Sequence, residues 1–310
     1  MSENNNQTVT KPIDVYSLVT DRIIELLEAG TVPWRKPWTD SGIPMNAITK
    51  RPYRGINTIL LNSFDYTYNL FLTWKQIKTI GGSVLKGEKG ALVVFTKMVE
   101  VEVSREGKLV KENKYLLRYY RVYNTEQCKD IPKEFMPKEN EEIQPLLECA
   151  SMIEGMKDAP KIVHKKAEAF YVPSEDYINM PKMKTFKSSE DYYGVLFHEL
   201  IHSTGHKSRL GRKEVVENPA FGSEPYSMEE LVAEMGGCYL KSYTGLPIAN
   251  MGNTAAYIKG WLDVLIGDNS ILIKAASRSQ QAVDYILNPK VEEILMPEDG
   301  EMNLESEVEN

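Results

Sequence analysis

Histidines and glutamates in the second half of the chain have the types and spacing of a metal site that activates water. His198, Glu199 and His202 form the pattern H-E-x-x-H inside HELIHSTGH, residues 198–206. On a helix, His198 and His202 lie one turn apart on one face, so both imidazoles can reach one ion. Glu199 sits about 100° round the helix, where its carboxylate can approach a water at the ion without ligating it. Two neutral nitrogen ligands, an open position and a nearby base are what metal-assisted hydrolysis requires. The ion expected is zinc, with another divalent metal such as Mn2+ as the alternative. The chain holds four histidines, and three of them (His198, His202, His206) fall in this segment. The competing structural reading is a buried helix whose histidines are satisfied by backbone groups, which would be costly beside a glutamate.

A catalytic zinc takes a third protein ligand. The best donor lies in YSMEELVAEMGG, residues 226–237, where Glu230 and Glu234 are four apart and share a helix face. This E-x-x-x-E pattern resembles zincins that draw a third ligand from the next helix, with an acid one turn later orienting a ligand histidine. Glu230 is therefore the expected ligand and Glu234 the expected orienter. Two alternatives stay open. Ser227-x-x-Glu230 also reads as a capping box, which would turn Glu230 back onto Ser227 and leave Glu229 as the ligand. His206 lies one turn beyond His202, although Gly205 is placed to end the helix first.

The elements that must carry these groups are legible in outline. SSEDYYGVLF offers Ser188 or Ser189 as N-cap and acids in the first turn, with Val195, Leu196, Leu200 and Ile201 as an apolar face. Residues 168–181 suggest a hairpin just before this helix, whose edge strand could hold an extended peptide by main-chain bonds. After the second glutamate helix, two more helices are expected. In the front half, residues 13–29 have helical periodicity and a second short helix is expected near Gly55 to Ser63. Residues 70–80 look helical, with Thr73 a possible cap. The stretch SVLKGEKGALVVFTKMVEVEVS reads as two strands about a turn at Gly87 to Gly90, followed by another strand from Lys114. Residues 131–160 read as a linker merging into a helix around Leu146 to Met156.

Composition narrows the class. At 310 residues, with 42% hydrophobic and 26% charged residues, the chain has the balance of a soluble globular protein long enough for two domains. No run of about 18 apolar residues exists, so no membrane partner is expected. The polar start MSENNNQTVTK has no apolar signal region, and three scattered cysteines argue for a reducing, cytoplasmic location. Net charge is −7, unevenly spread: residues 1–135 hold 20 basic against 15 acidic residues, the remainder 17 against 29. Different partners for the two halves follow.

The front half interleaves aromatic and basic residues: Trp34, Arg35 and Trp38, then Arg54, then Trp74 and Lys75. Such mixtures bind single-stranded nucleic acid, the rings stacking on bases and the cations neutralising phosphates. The competing reading is that tryptophans beside prolines pack in a small core.

The chain resembles ArdC-type antirestriction proteins of plasmids, phages and other mobile elements, over roughly residues 13–287. In the front half the resemblance rests on GTVPWRKPW, RPYRGIN, TWKQ, GGSVLKGEKG and VYNTEQ. In the back half it rests on FYVPSEDYINMP, FKSSEDYYGVLFHELIHSTGHKSRLGR, FGSEPYSMEELVAEMGG and AAYIKGWLDVL. Ser203 departs from the family pattern, where an aromatic residue is commoner, but does not touch the expected metal shell. The resemblance implies a single-stranded DNA-binding domain followed by a zincin-like metallopeptidase domain, and protection of incoming DNA from restriction during transfers such as conjugation. It assigns no DNA contact to a particular residue here.

The expected fold class is α+β: a small N-terminal α+β domain with an antiparallel sheet, then a zincin-like domain. The expected boundaries are a disordered N-terminus at 1–12, a DNA-binding domain at 13–135, the metallopeptidase domain at 136–290 and an acidic tail at 291–310. The expected partners are single-stranded DNA, double-stranded DNA as an extension, and an unidentified protein substrate. In the expected chemistry Glu199 takes the proton of the attacking water. A rival reading is a non-enzymatic coat on single-stranded DNA with a structural metal. Another is a peptidase whose front half binds protein through Trp34 and Trp38.

Overall fold

The computed structural model describes residues 14–34, 42–64, 66–105, 108–136, 145–217, 224–246 and 255–288. The expected disordered N-terminus, the acidic tail, and the candidate DNA contacts Arg35 and Trp38 lie outside the described residues.

The front lobe opens with α1 (Val15–Glu28), capped by the Asp14 side chain on the Tyr16 amide. A short strand β1 (Met45–Asn46) leads to α2 (Ile56–Asn62). Residues 70–80 are not one helix. They form strand β2 (Leu70–Thr73) and then α3 (Trp74–Thr79), because Thr73 makes a capping box with Gln76 and so sets the start of the helix four residues later than the hydrophobic pattern suggests. Next come β3 (Ser83–Val84), β4 (Ala91–Arg105), β5 (Lys108–Asn124) and β6 (Cys128–Lys129). The turn at Gly87 to Gly90 does not join a hairpin. β3 pairs with β6, and β4 pairs with β5 through fifteen antiparallel positions from Ala91↔Val122 to Arg105↔Lys108.

The main sheet has the order β1-β2-β5-β4, antiparallel except for the parallel β1–β2 pair. Alternation along β2 divides its side chains between two clusters. Phe71 packs with Leu61, Ala91, Val93 and Val122, whereas Leu70 and Leu72 pack with Ala47 and Ile77. Beyond these clusters the β4–β5 ribbon runs on with exposed Met98 and Tyr115 as a cross-strand pair.

The rear lobe begins with α4 (Pro145–Gly155) and a three-stranded sheet of β7 (Lys161–Val163), β8 (Phe170–Val172) and β9 (Tyr177–Asn179). Its order is β7-β9-β8; β7 runs parallel to β9, and β8–β9 is the expected hairpin with β8 at the edge. Helices α5 (Ser189–Thr204), α6 (Lys213–Val216), α7 (Glu224–Thr244), α8 (Ala255–Gly267) and α9 (Ile271–Leu287) complete it. Among the described residues no helix is long and apolar enough to cross a membrane.

The two lobes share one hydrophobic core. Val19, Ile23 and Leu27 of α1, Ile59 of α2 and Trp34 join the same cluster as Leu200, Val232, Leu265 and Leu272. Trp34 is only 2% exposed and meets Trp261 of α8 edge-on, ring centroids 5.7 Å apart. Polar ties reinforce the seam. Tyr239 Oη donates to the Gly55 carbonyl at 2.8 Å, Gln280 Oε1 accepts from the Gly55 amide at 3.0 Å, and Arg54 pairs with Asp284. Gly55 has φ +56° and caps α2, a backbone state in which a side chain would be strained. Because the seam is core, Trp34→Ala should cost about 3–5 kcal/mol. Thermal unfolding followed by calorimetry should remain one transition at a lower temperature, rather than splitting into front-lobe and rear-lobe steps.

Candidate metal centre

Helix α5 is set by its N-terminus. Ser188 Oγ accepts from the Asp191 amide at 3.1 Å, and Glu190 and Asp191 occupy the first turn, where the helix dipole favours acids. Leu196, Phe197, Leu200 and Ile201 are buried, and that fixes the rotation which turns His198 and His202 toward α7. Gly205 ends the helix in a right-handed conformation. It is needed for space, since a Cβ there would lie 2.4 Å from Val215 Cγ2. Helix α7 crosses α5 closely through its own glycines: a Cβ at Gly236 would lie 2.7 Å from Ile201 Cδ1, and one at Gly237 3.5 Å from the His198 amide nitrogen.

The capping-box alternative at Ser227 does not apply. α7 begins at Glu224, so Ser227 lies inside the helix and Glu230 is a mid-helix residue directed by rotation alone. His198 Nε2 and His202 Nε2 are 3.1 Å apart, and the Glu230 carboxylate lies 3.6 Å from each of them through its two oxygens. A tetrahedral ion bound at about 2.0–2.1 Å separates its ligands by about 3.3 Å, so this triangle fits a single divalent cation. The three residues form a metal-capable group whose donor atoms all lie within 4.8 Å of one another.

The tautomers agree. His202 Nδ1 bonds Glu229 Oε1 at 3.1 Å, which requires a proton on Nδ1 and leaves Nε2 as a lone pair facing His198. The 3.1 Å between the two Nε2 atoms is a hydrogen-bond spacing when His198 carries a proton on Nε2, and close to the spacing of two ligands on one cation when it does not. Glu229 is itself held: Arg212 donates to both its oxygens, Nε to Oε2 at 2.9 Å and Nη2 to Oε1 at 2.7 Å. Arg212 also bonds Thr204 Oγ1 and the Ile201 carbonyl on α5, so its buried guanidinium locks the two helices together.

Burial pushes the Glu229 carboxyl up, but hydrogen bonds from Arg212 and His202 outweigh it and leave the group below its ordinary value. Burial works to lower the His202 pKa, and Glu229, with the charges of Glu199 and Glu230, reverses it and raises it. Glu199 is buried, and its charge is felt at His202. Three carboxylates thus converge on two imidazoles, and Arg212 neutralises one of them. A divalent cation held by the two imidazoles and Glu230 would add positive charge where these carboxylates gather.

Glu229 and Arg212 are what the motif reading underweighted. The carboxylate on His202 Nδ1 is that of Glu229. Glu229 is the residue that α7 rotates toward Arg212, whereas Glu234 lies one turn further along. A cue was present in the basic run KSRLGR just after the histidines. His206 is not brought to the triangle. Its Nδ1 bonds Ser208 Oγ at 2.7 Å and stands 4.0 Å from Asp176. The neighbouring Arg209, almost wholly buried, pairs with Asp176 in the β8–β9 turn and donates to the carbonyls of Ser203 and Asp158 and to Tyr171 Oη. This network ties the end of α5 to the hairpin that carries edge strand β8.

Two of the expected nucleic-acid contacts are structural. The Trp34 ring lies in the core and presents no free face, and Arg54, its side chain partly exposed, is paired with Asp284 across the seam. Trp74 and Lys75 are exposed at the start of α3, and Lys78 Nζ stands 5.2 Å over the Trp74 ring.

Residues 153–278 match a family model of zincin-like metallopeptidases, and residues 13–124 match the N-terminal domain of the anti-restriction factor ArdC. The fold and donor set therefore define a zincin-like metallopeptidase domain behind an ArdC N-terminal domain. The metal-free crystal structure of antirestriction protein ArdC from plasmid R388 is 35% identical, with a TM-score of 0.72, covering 88% of this chain and 97% of that one. Its Mn(II)-bound form gives a TM-score of 0.67, with 89% and 98% covered. Protein y4eC of Sinorhizobium fredii (strain NBRC 101917 / NGR234) is 32% identical over 297 residues, 91% of this chain and 94% of y4eC. DNA primase TraC of Escherichia coli is 35% identical over 303 residues, 92% of this chain, which spans only 20% of TraC. The chain belongs to the ArdC antirestriction family.

The geometry makes two outcomes measurable. Glu229→Gln should weaken divalent-metal binding by about 10- to 100-fold in a chelator competition while leaving all three donors in place. Asp176 is held below its ordinary value: burial acts to raise it, and the bonds from Arg209 and Tyr171 win. Its stabilising contribution is therefore full above the unfolded carboxylate value, about 4, and fades as pH falls through the depressed folded value. Asp176→Asn should cost about 1–2 kcal/mol at neutral pH and nothing in strong acid, read from urea unfolding across pH.

Proposed function

We propose that this protein is a DNA-binding antirestriction protein whose rear lobe is a metal-dependent peptidase. The donor triangle of His198, His202 and Glu230, with Glu199 buried at its side, carries this reading. Zinc is the ion the nitrogen–carboxylate set favours, with Mn2+ as the alternative. When bound there, such an ion acidifies a water and polarises a carbonyl oxygen.

The chain's own residues do the rest. Glu199 accepts the proton of the attacking water and passes it to the leaving amine. Glu229, clamped by Arg212, holds His202 in the tautomer that presents Nε2. Edge strand β8 pairs with an extended substrate segment, and the Arg209–Asp176 network keeps that strand in register with α5. The front lobe binds single-stranded DNA, with Trp74 as a stacking face and Lys75 as a phosphate contact. Binding there raises the concentration of DNA-bound proteins at the rear site, and removal of such proteins protects incoming DNA. Because the lobes share a core, the two sites are held at a fixed separation.

Glu199→Gln tests the chemistry. It should keep one equivalent of metal, keep DNA binding, and lose proteolysis of proteins bound to single-stranded DNA by at least about 100-fold. Cleavage at the wild-type rate would overturn the peptidase mechanism. Loss of cleavage with antirestriction intact in conjugation assays would transfer the protective role to DNA coating alone.

A further inference from the structure

The rear half of the chain is acidic overall, yet residues 157–187 hold seven lysines against four acids. These lysines are exposed, and among the described residues none has an ion-pair partner. Four basic side chains from this segment, His164, Lys165, Lys166 and Lys182, line one cavity of about 610 Å3 together with Thr185 and Phe186, and among the described residues no carboxylate lines it. The volume is within the usual range for a small-ligand site.

The cavity wall is built rather than draped. Asn179, fully buried in β9, accepts from the amides of Lys165 and Lys166 at 3.0 and 3.1 Å and donates to the carbonyls of Lys166 and Glu168. One core side chain thus fixes the loop that displays the two lysines. His164 Nδ1 donates to the Met180 carbonyl at 2.9 Å, which orients its ring. Lys165 and Lys166 lie over the rings of Tyr177 and Phe170, at 5.5 and 5.4 Å, so their stems are braced. Three like charges held round one hollow repel one another, and a polyanion relieves that repulsion.

We propose that this cavity binds the sugar-phosphate backbone of a DNA strand, so that the DNA footprint extends from the front lobe onto the peptidase lobe. The proposal rests on the reading that the protein binds single-stranded DNA. A polyanion suits the site better than a single carboxylate, because further exposed lysines, Lys161, Lys184 and Lys187, neighbour the lining residues in the chain. The basic loop joins β7 to β8 and is pinned by Asn179 of β9, so it belongs to the sheet that packs against helix α5 through β8 and β9. A DNA strand in the cavity therefore lies on the body that presents substrate to Glu199.

The test uses the full chain and a fluorescein-labelled oligothymidylate, with anisotropy titrations across a range of salt. The triple variant Lys165→Gln, Lys166→Gln, Lys182→Gln should bind roughly 10- to 100-fold more weakly at 0.1 M salt, and the slope of log affinity on log salt should flatten by about 2, at about 0.7 per lost phosphate contact. Lys182→Gln alone, outside the loop held by Asn179, should flatten the slope by about 0.7 and controls for any folding defect in the triple variant. Equal affinity and slope in wild type and both variants would overturn the proposal and leave front-lobe DNA binding standing. Absence of binding by the wild type would overturn both. If a polyglutamate peptide binds the wild type and not the triple variant while DNA binding is unchanged, the cavity is a subsite for acidic peptide and the proposal falls.

Discussion

The Arg212–Glu229–His202 chain is the interaction on which the rear lobe depends. It draws a carboxylate and a guanidinium, both nearly devoid of solvent, into contact with a ring nitrogen that must stay protonated at Nδ1. Removing Arg212 or Glu229 would leave the other's charge buried and unpaired. Arg212 also reaches Thr204 and the Ile201 carbonyl, so the residue that tunes the histidine is the one that joins α5, the loop after it and α7. The same contacts thus serve stability and site geometry.

Around this chain the helices cross at very short range. Gly236 leaves room for the Ile201 side chain and Gly237 faces the backbone at His198, and this close crossing brings Glu230 to two imidazoles on the neighbouring helix. The close crossing explains how a triangle with sides of 3.1 to 3.6 Å arises from two helices whose side chains are short or rigid.

The seam between the lobes has consequences of its own. Trp34 and Arg54 read as part of a nucleic-acid surface when considered by composition, because rings and cations interleave there. Burial against Trp261, Asp284, Gln280 and Tyr239 shows that the same residue types can weld two domains instead. Composition records which side chains are present, and only the packing says which faces water.

Much of the candidate site was legible beforehand. H-E-x-x-H on a capped helix is a local pattern, and the spacing of four that brings His198 and His202 together follows from helix geometry alone. The α+β class, the hairpin before α5 and the helix that bears Glu230 were likewise encoded in short-range periodicity and caps. What local pattern could not decide was rotation and partnership. The choice of Glu229 as the partner of His202, the pairing of the strand at 70–73 with β5, the pairing of β4 with β5 across the tip rather than with β3, and the burial of Trp34 are all set by contacts between residues distant in the chain. Such contacts depend on how whole faces pack, so the sequence by itself determined which groups could do chemistry, and the tertiary structure decided which of them meet.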